Sequence, residues 1–238
     1  MPPKALFDGS HRPDKLVMPA CKECNGGTST SDLVAAIVSR WNYNNNTSEL
    51  RDHTKLVAQV RMHHPEILNE WNNLNVFEKA NARHQLIKHG VPVPNDAGLV
   101  NIGPLTIRHL NLFSHKVVLG LYFEHFKSLL SDAGRVAAYW RSKEDFARGG
   151  IPAELLEMMQ KYGTLEQGKW NVREIFEYRF ETNENDGLFM CLARFRGNFF
   201  VTGFAVRDAA VIENGEIDWI KPSELLGMLN NPAFEKRP

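Results

Sequence analysis

Cys21 and Cys24 stand three residues apart, with Asn25 directly after them, in the run LVMPACKECNGGTSTSD at 16–32. Two thiolates at this spacing point at one place, which is how a zinc ion is usually gripped. Gly26 and Gly27 let the chain turn, and Ser29–Asp32 supply helix-start residues ahead of the apolar run Leu33–Val38. The stretch therefore predicts a strand, a knuckle and a helix. A closed structural zinc site takes four ligands, so the pair is a half-site. The other ligands are open among residues ahead of this sequence, His11 and a second chain.

With its left flank, PPKALFDGSHRPDKLVMPACKECN, the stretch resembles the HNH nuclease family of ββα-metal endonucleases. In that family an acidic-His pair on the first strand is followed by a Pro-containing loop, a Cys-x-x-Cys knuckle ending in Asn or His, and a helix. Pro2–Phe7 looks like the segment that follows the acidic-His pair, and Lys15-Leu16 falls where the family has Asn-Leu. Cys21 and Cys24 match its second zinc-binding pair, and Asn25 falls on the last motif residue. The resemblance implies structural zinc at Cys21 and Cys24. It also implies a magnesium or other divalent ion for catalysis, held in part by Asn25, and DNA as substrate. HNH chemistry needs a His general base to activate water and a metal to polarise the phosphate. The acidic-His pair would lie just ahead of Met1, and His11 is the nearest imidazole present.

Two accounts follow. In one, Met1 is an internal methionine of an HNH-type endonuclease whose activity requires a completed N-terminus. In the other, the chain is complete and the module has decayed into a non-catalytic domain that binds nucleic acid or protein. Lys15 is a candidate phosphate contact. A second basic group, Arg135, Arg141, Lys143 and Arg148 around Tyr139-Trp140, mixes positive charge with faces that stack on bases.

Lys+Arg and Asp+Glu both number 28, so the chain lacks the overall basic charge that drives non-specific nucleic-acid binding. Any such contact must come from a local patch. Two of the three cysteines lie in the knuckle, which excludes a disulfide framework; Cys191, in an apolar run, reads as a buried thiol. No secretory leader opens the chain, and no stretch reaches the roughly 18 apolar residues of a membrane span. The expected compartment is the reducing cytoplasm.

The elements that must position these residues give an α+β fold. It comprises a small ββα, zinc-knuckle-like N-terminal piece, a helical middle, and a C-terminal antiparallel sheet packed on a buried helix. The divisions fall at 1–46 for the HNH-like partial module, 47–104 for the helical region and linker, and 105–238 for the α+β domain. Helices are expected at Ser31–Trp41, from Thr47 to a break at Pro65, at Glu66–His89, and at Leu105–Ser131. Each of the two middle helices should bury one face. The Leu105–Ser131 helix, apolar nearly all round, should be central. After a short helix at Pro152–Tyr162, the runs Ile175–Phe180, Leu188–Phe195 and Phe199–Val206 change to strand character. A hairpin around Asn214-Gly215 and a helix at Pro222–Leu229 close the chain.

Overall fold

The computed structural model describes residues 4–7, 18–41, 47–91, 93–94, 98–145, 153–159, 161–164, 166–167, 170–171, 174–212 and 217–235. It is an α+β fold. Six helices come first: α1 (Lys22–Gly27), α2 (Ser29–Val38), α3 (Thr47–His63), α4 (Pro65–Trp71), α5 (Val76–Lys88) and α6 (Pro104–Phe126). Strand β1 (Arg135–Ser142) leads to α7 (Ala153–Met158). The strands β2 (Lys161–Thr164), β3 (Glu166–Gln167), β4 (Trp170–Asn171), β5 (Phe176–Asn183), β6 (Leu188–Phe195) and β7 (Phe199–Val206) follow.

The main sheet runs in the order β1-β7-β6-β5-β2, and every pairing in it is antiparallel. The β5–β6–β7 meander forms where aromatic and β-branched runs alternate with turns. Gly187 and Gly197 sit at positive φ in its two turns, the conformation that glycine adopts without strain. One face of the sheet lies on α6, as its apolar circumference requires. Phe113 packs edge-on against Phe195 at 5.4 Å and beside Phe199 at 5.9 Å. Gly203 on β7 is needed for this approach, because a Cβ there would collide with Val118 of α6. On the other face, Leu155, Leu156 and Met159 cover Met190, Leu192, Phe200 and Phe204. Cys191 is a fully buried thiol, and burial pushes its pKa up.

The far side of α6 receives α2. Leu6, Val34, Ile37, Val60, Ile67, Leu110, Phe113 and Phe199 belong to one continuous core that draws on the N-terminal, middle and C-terminal stretches. Gly103 offers α6 no side-chain cap. Glu70 of α4 does that work, taking the backbone N–H groups of Leu105 and Thr106 at 2.8 Å each and the Thr106 hydroxyl as well. A carboxylate at this end satisfies open donors and suits the helix dipole.

Several local expectations give way. Glu66–His89 is two helices, parted at 72–75 because Asn75 and Glu78 form a reciprocal capping box that starts a new one. The apolar stripe of α5 does not pack: Phe77 is 87% exposed, Val76 85% and Ile87 56%. Tyr162 belongs to β2, so the helix before it ends at Met158. Val211 lies in a 3-10 turn, and Ile220 bridges to Val136; Asn214-Gly215 lies outside the described residues. Pro222–Leu229 folds as short 3-10 turns. The strand expected at Leu16-Val17-Met18 is not seen at Met18, which is described without strand structure; Leu16 and Val17, with 1–3 and 8–15, lie outside the described residues, and Lys4–Leu6 between them is a 3-10 turn. Among the described residues no helix is long and apolar enough to cross a membrane.

Candidate functional site

Cys21 is the N-cap of α1, in extended conformation, and its Sγ accepts the Cys24 backbone N–H at 3.1 Å. The chain therefore enters a helix at the expected knuckle. One turn carries both thiols, with Cys21 exposed and Cys24 half-buried. A side-chain hydrogen bond between the two thiols, helped by the Cys24 backbone N–H, pulls the Cys21 thiol below its ordinary pKa. The same thiol–thiol bond, together with burial, pushes Cys24 up. Asn25 follows, exposed, its N–H bonded to the Cys21 carbonyl at 3.0 Å. These residues suit half of a thiolate site. Among the described residues no group of three or more His, Cys, Asp and Glu is placed to hold a metal.

The next turn is anchored residue by residue. Lys116 of α6 donates to the Asp32 carboxylate at 2.6 Å and to the Thr28 hydroxyl at 2.9 Å, with both charged side chains largely buried. Burial pushes the Asp32 carboxyl above its usual range, and Lys116 pulls the other way. Ser31 meets Nδ1 of His109 at 3.0 Å inside the molecule. Burial, with help from nearby His64 and Arg108, lowers the His109 pKa to about 4, so that imidazole is neutral. Thr30 reaches the other way, to Nε2 of His64 at 3.0 Å. Nδ1 of His64 stands 3.6 Å from the Glu66 carboxylate.

Thr30, Asp32, Gln59, His63 and His64 line an open groove of about 320 Å³ between α2 and the end of α3. A second groove of about 460 Å³ shares Ala5 and Gln59 with it, and continues past Lys55, Asp52 and Arg40. Arg40 is itself built into the fold, donating to the carbonyls of Ala36 and Leu6.

Of the residues singled out in the sequence, Cys21, Cys24 and Asn25 come together on one turn. His11, Lys15 and Arg148 lie outside the described residues. Arg135, Arg141 and Lys143 are strung along and beyond β1, with Arg135 and Arg141 about 20 Å apart at strand rise. Trp140 between them is buried, its indole N–H bonded to Asn111 at 2.9 Å, so it offers no stacking face. Arg135 caps the carbonyls of Asp132 and Gly134. The His63-His64 pair and the Ser-Thr-Ser-Asp run were legible as a helix end and a helix start; their meeting across the fold was not. Comparisons with family models, curated proteins and solved structures found no match.

Proposed function

We propose that the chain is an HNH-type, metal-dependent endonuclease module directed at DNA phosphodiesters, with Cys21 and Cys24 as half of a structural zinc site in a reducing cytoplasm. The observation that carries this reading is the single exposed turn that bears both thiols and Asn25. Zinc held there would pin the start of the helical segment, and the catalytic divalent ion of such a module polarises the scissile phosphate. The chain's own contribution is positional. Asp32, Thr28 and Ser31 fasten the turn after the knuckle to α6, so groups at the knuckle keep a fixed orientation.

A second reading is a non-catalytic module derived from such a nuclease that binds nucleic acid or protein. The exposed Val76, Phe77 and Ile87 of α5 favour a protein partner.

Zinc content and nicking of supercoiled plasmid with magnesium or manganese test both. Stoichiometric zinc lost on Cys21→Ser, with nicking that appears when an N-terminal extension supplies the acidic-His pair and is lost again on Asn25→Ala, is the expected result for the nuclease. Zinc without nicking in the extended chain selects the binding module. A chain with neither zinc nor nicking overturns the proposal.

A further inference from the structure

We infer that Cys21 and Cys24 are a redox-active dithiol that a small-molecule disulfide closes into a bond between the two sulfurs, with Cys21 attacking and Cys24 resolving. This rests on the same pair as the zinc reading above and adds its regulation, because a metal is held by thiolates and not by a disulfide.

The cap geometry gives the sulfurs their reach. Side chains three apart on a helix have Cβ atoms about 5–6 Å apart, and a disulfide needs about 3.8 Å. Cys21 is not inside the helix. It is the cap, with extended backbone at φ −65° and ψ 159°, and its Sγ folds back over the first turn to take the Cys24 N–H at 3.1 Å. The two thiols already share a hydrogen bond, and rotation of their side chains closes the remaining gap.

Access is unequal in the useful direction. Cys21 is exposed, among exposed Pro19, Ala20, Lys22 and Glu23, and Cys24 stands half-buried behind it. An accessible attacking sulfur beside a resolving one is the arrangement of thiol sensors. Cys191, fully buried in β6, takes no part.

The backbone holds its place while the sulfurs react. The Asn25 N–H bonds the Cys21 carbonyl at 3.0 Å, and the Thr28 hydroxyl donates to the Cys24 carbonyl at 3.0 Å. Lys116 of α6 in turn donates to Thr28 at 2.9 Å. Two groups held on one anchored turn make the second attack an intramolecular step.

With oxidised glutathione as the reagent, the Cys21 sulfur attacks one of its sulfurs and the reagent's S–S bond breaks. One glutathione leaves with the Cys21 proton. The Cys24 sulfur then attacks Cys21 in the mixed disulfide, and the second glutathione leaves with the Cys24 proton. The dithiol loses two electrons and the reagent gains them.

The test uses the full chain, freed of metal by a chelator and equilibrated across a series of oxidised-to-reduced glutathione ratios. It is then quenched, alkylated and cut with trypsin. Cleavage after Lys22 puts the two cysteines on separate peptides, 16–22 and 23–40, which travel together only when the bond has formed. The joined species is expected to rise with the ratio while Cys191 stays a free thiol. Cys24→Ser should lose it and trap one glutathione on Cys21; chain loaded with zinc should resist closure. No joined species at any ratio, glutathione on both sulfurs in its place, a bridge to Cys191, or closure that bound zinc does not slow overturns the inference. Zinc bound by a chain whose metal-free form never closes keeps the zinc reading alone. Closure in a chain that takes up no zinc keeps the dithiol and drops the half-site.

Discussion

The two sides of α6 are held by different physics. Toward the sheet, Phe113, Val118 and Tyr122 meet Phe195, Phe199, Gly203 and Phe189 in close aromatic and aliphatic packing. Toward α2, buried small and aliphatic residues are joined by directed polar ties: Lys116 to Asp32 and Thr28, and His109 to Ser31. Packing of the first kind supplies most of the energy and tolerates small shifts. Hydrogen bonds of the second kind supply less energy and fix one orientation. The candidate site grows from the second side. An N-terminal helix whose role is to present a knuckle needs a defined angle more than additional burial.

Acid should strike both sides at once and give the largest effect. His109 faces α2, and His115 lies one turn beyond Asn111, whose side chain holds Trp140 of β1; burial lowers both imidazoles to about 4. The unfolded chain protonates them near 6.5, so it binds more protons than the folded chain between those values, and stability falls as pH drops from 6.5 to 4. Each imidazole accounts for about 3 kcal/mol of that loss. Urea unfolding at pH 7 and pH 4.5 measures it, and His115→Leu should shallow the slope.

Phe113→Ala attacks the sheet side alone and should cost about 4 kcal/mol in the same assay, with a lowered midpoint. Lys116→Met attacks the α2 side. It strands a carboxylate that is largely buried, and should cost about 3 kcal/mol. The double variant Asp32→Asn with Lys116→Met should recover most of this. Equal costs for the double and the single would show that the pair acts by packing, which would blur the contrast. Ser31→Ala is the smallest, about 1 kcal/mol. Its sharper readout is the His109 imidazole resonance in NMR, which should move while those of the sheet-side His115 stay in place.

The same contrast explains what could be read in advance. The meander and α6 were legible because their apolar runs have only one way to be satisfied, on a packed face. The unbroken 66–89 helix failed because a capping box at Asn75 outweighs an apolar period that continues across it. The stripe on α5 was legible as amphipathic, yet Phe77 and Ile87 meet solvent, since periodicity shows which residues share a face and not whether anything covers it. At the site, Cys21, Cys24 and Asn25 are neighbours in sequence and read directly. Thr30 with His64, and Ser31 with His109, are 34 and 78 residues apart, and a hydroxyl–imidazole bond leaves no periodic trace.

Glu70 offers a last consequence. Because the first turn of α6 borrows its cap from α4, the amide protons of Leu105 and Thr106 are shielded only while the N-terminal helices are seated. Hydrogen exchange at those two amides is therefore a built-in clock for undocking of the N-terminal half. Its rate should rise well before the sheet amides lose protection. A central helix so arranged cannot complete its own beginning. It finishes folding only after a segment some 35 residues earlier has arrived.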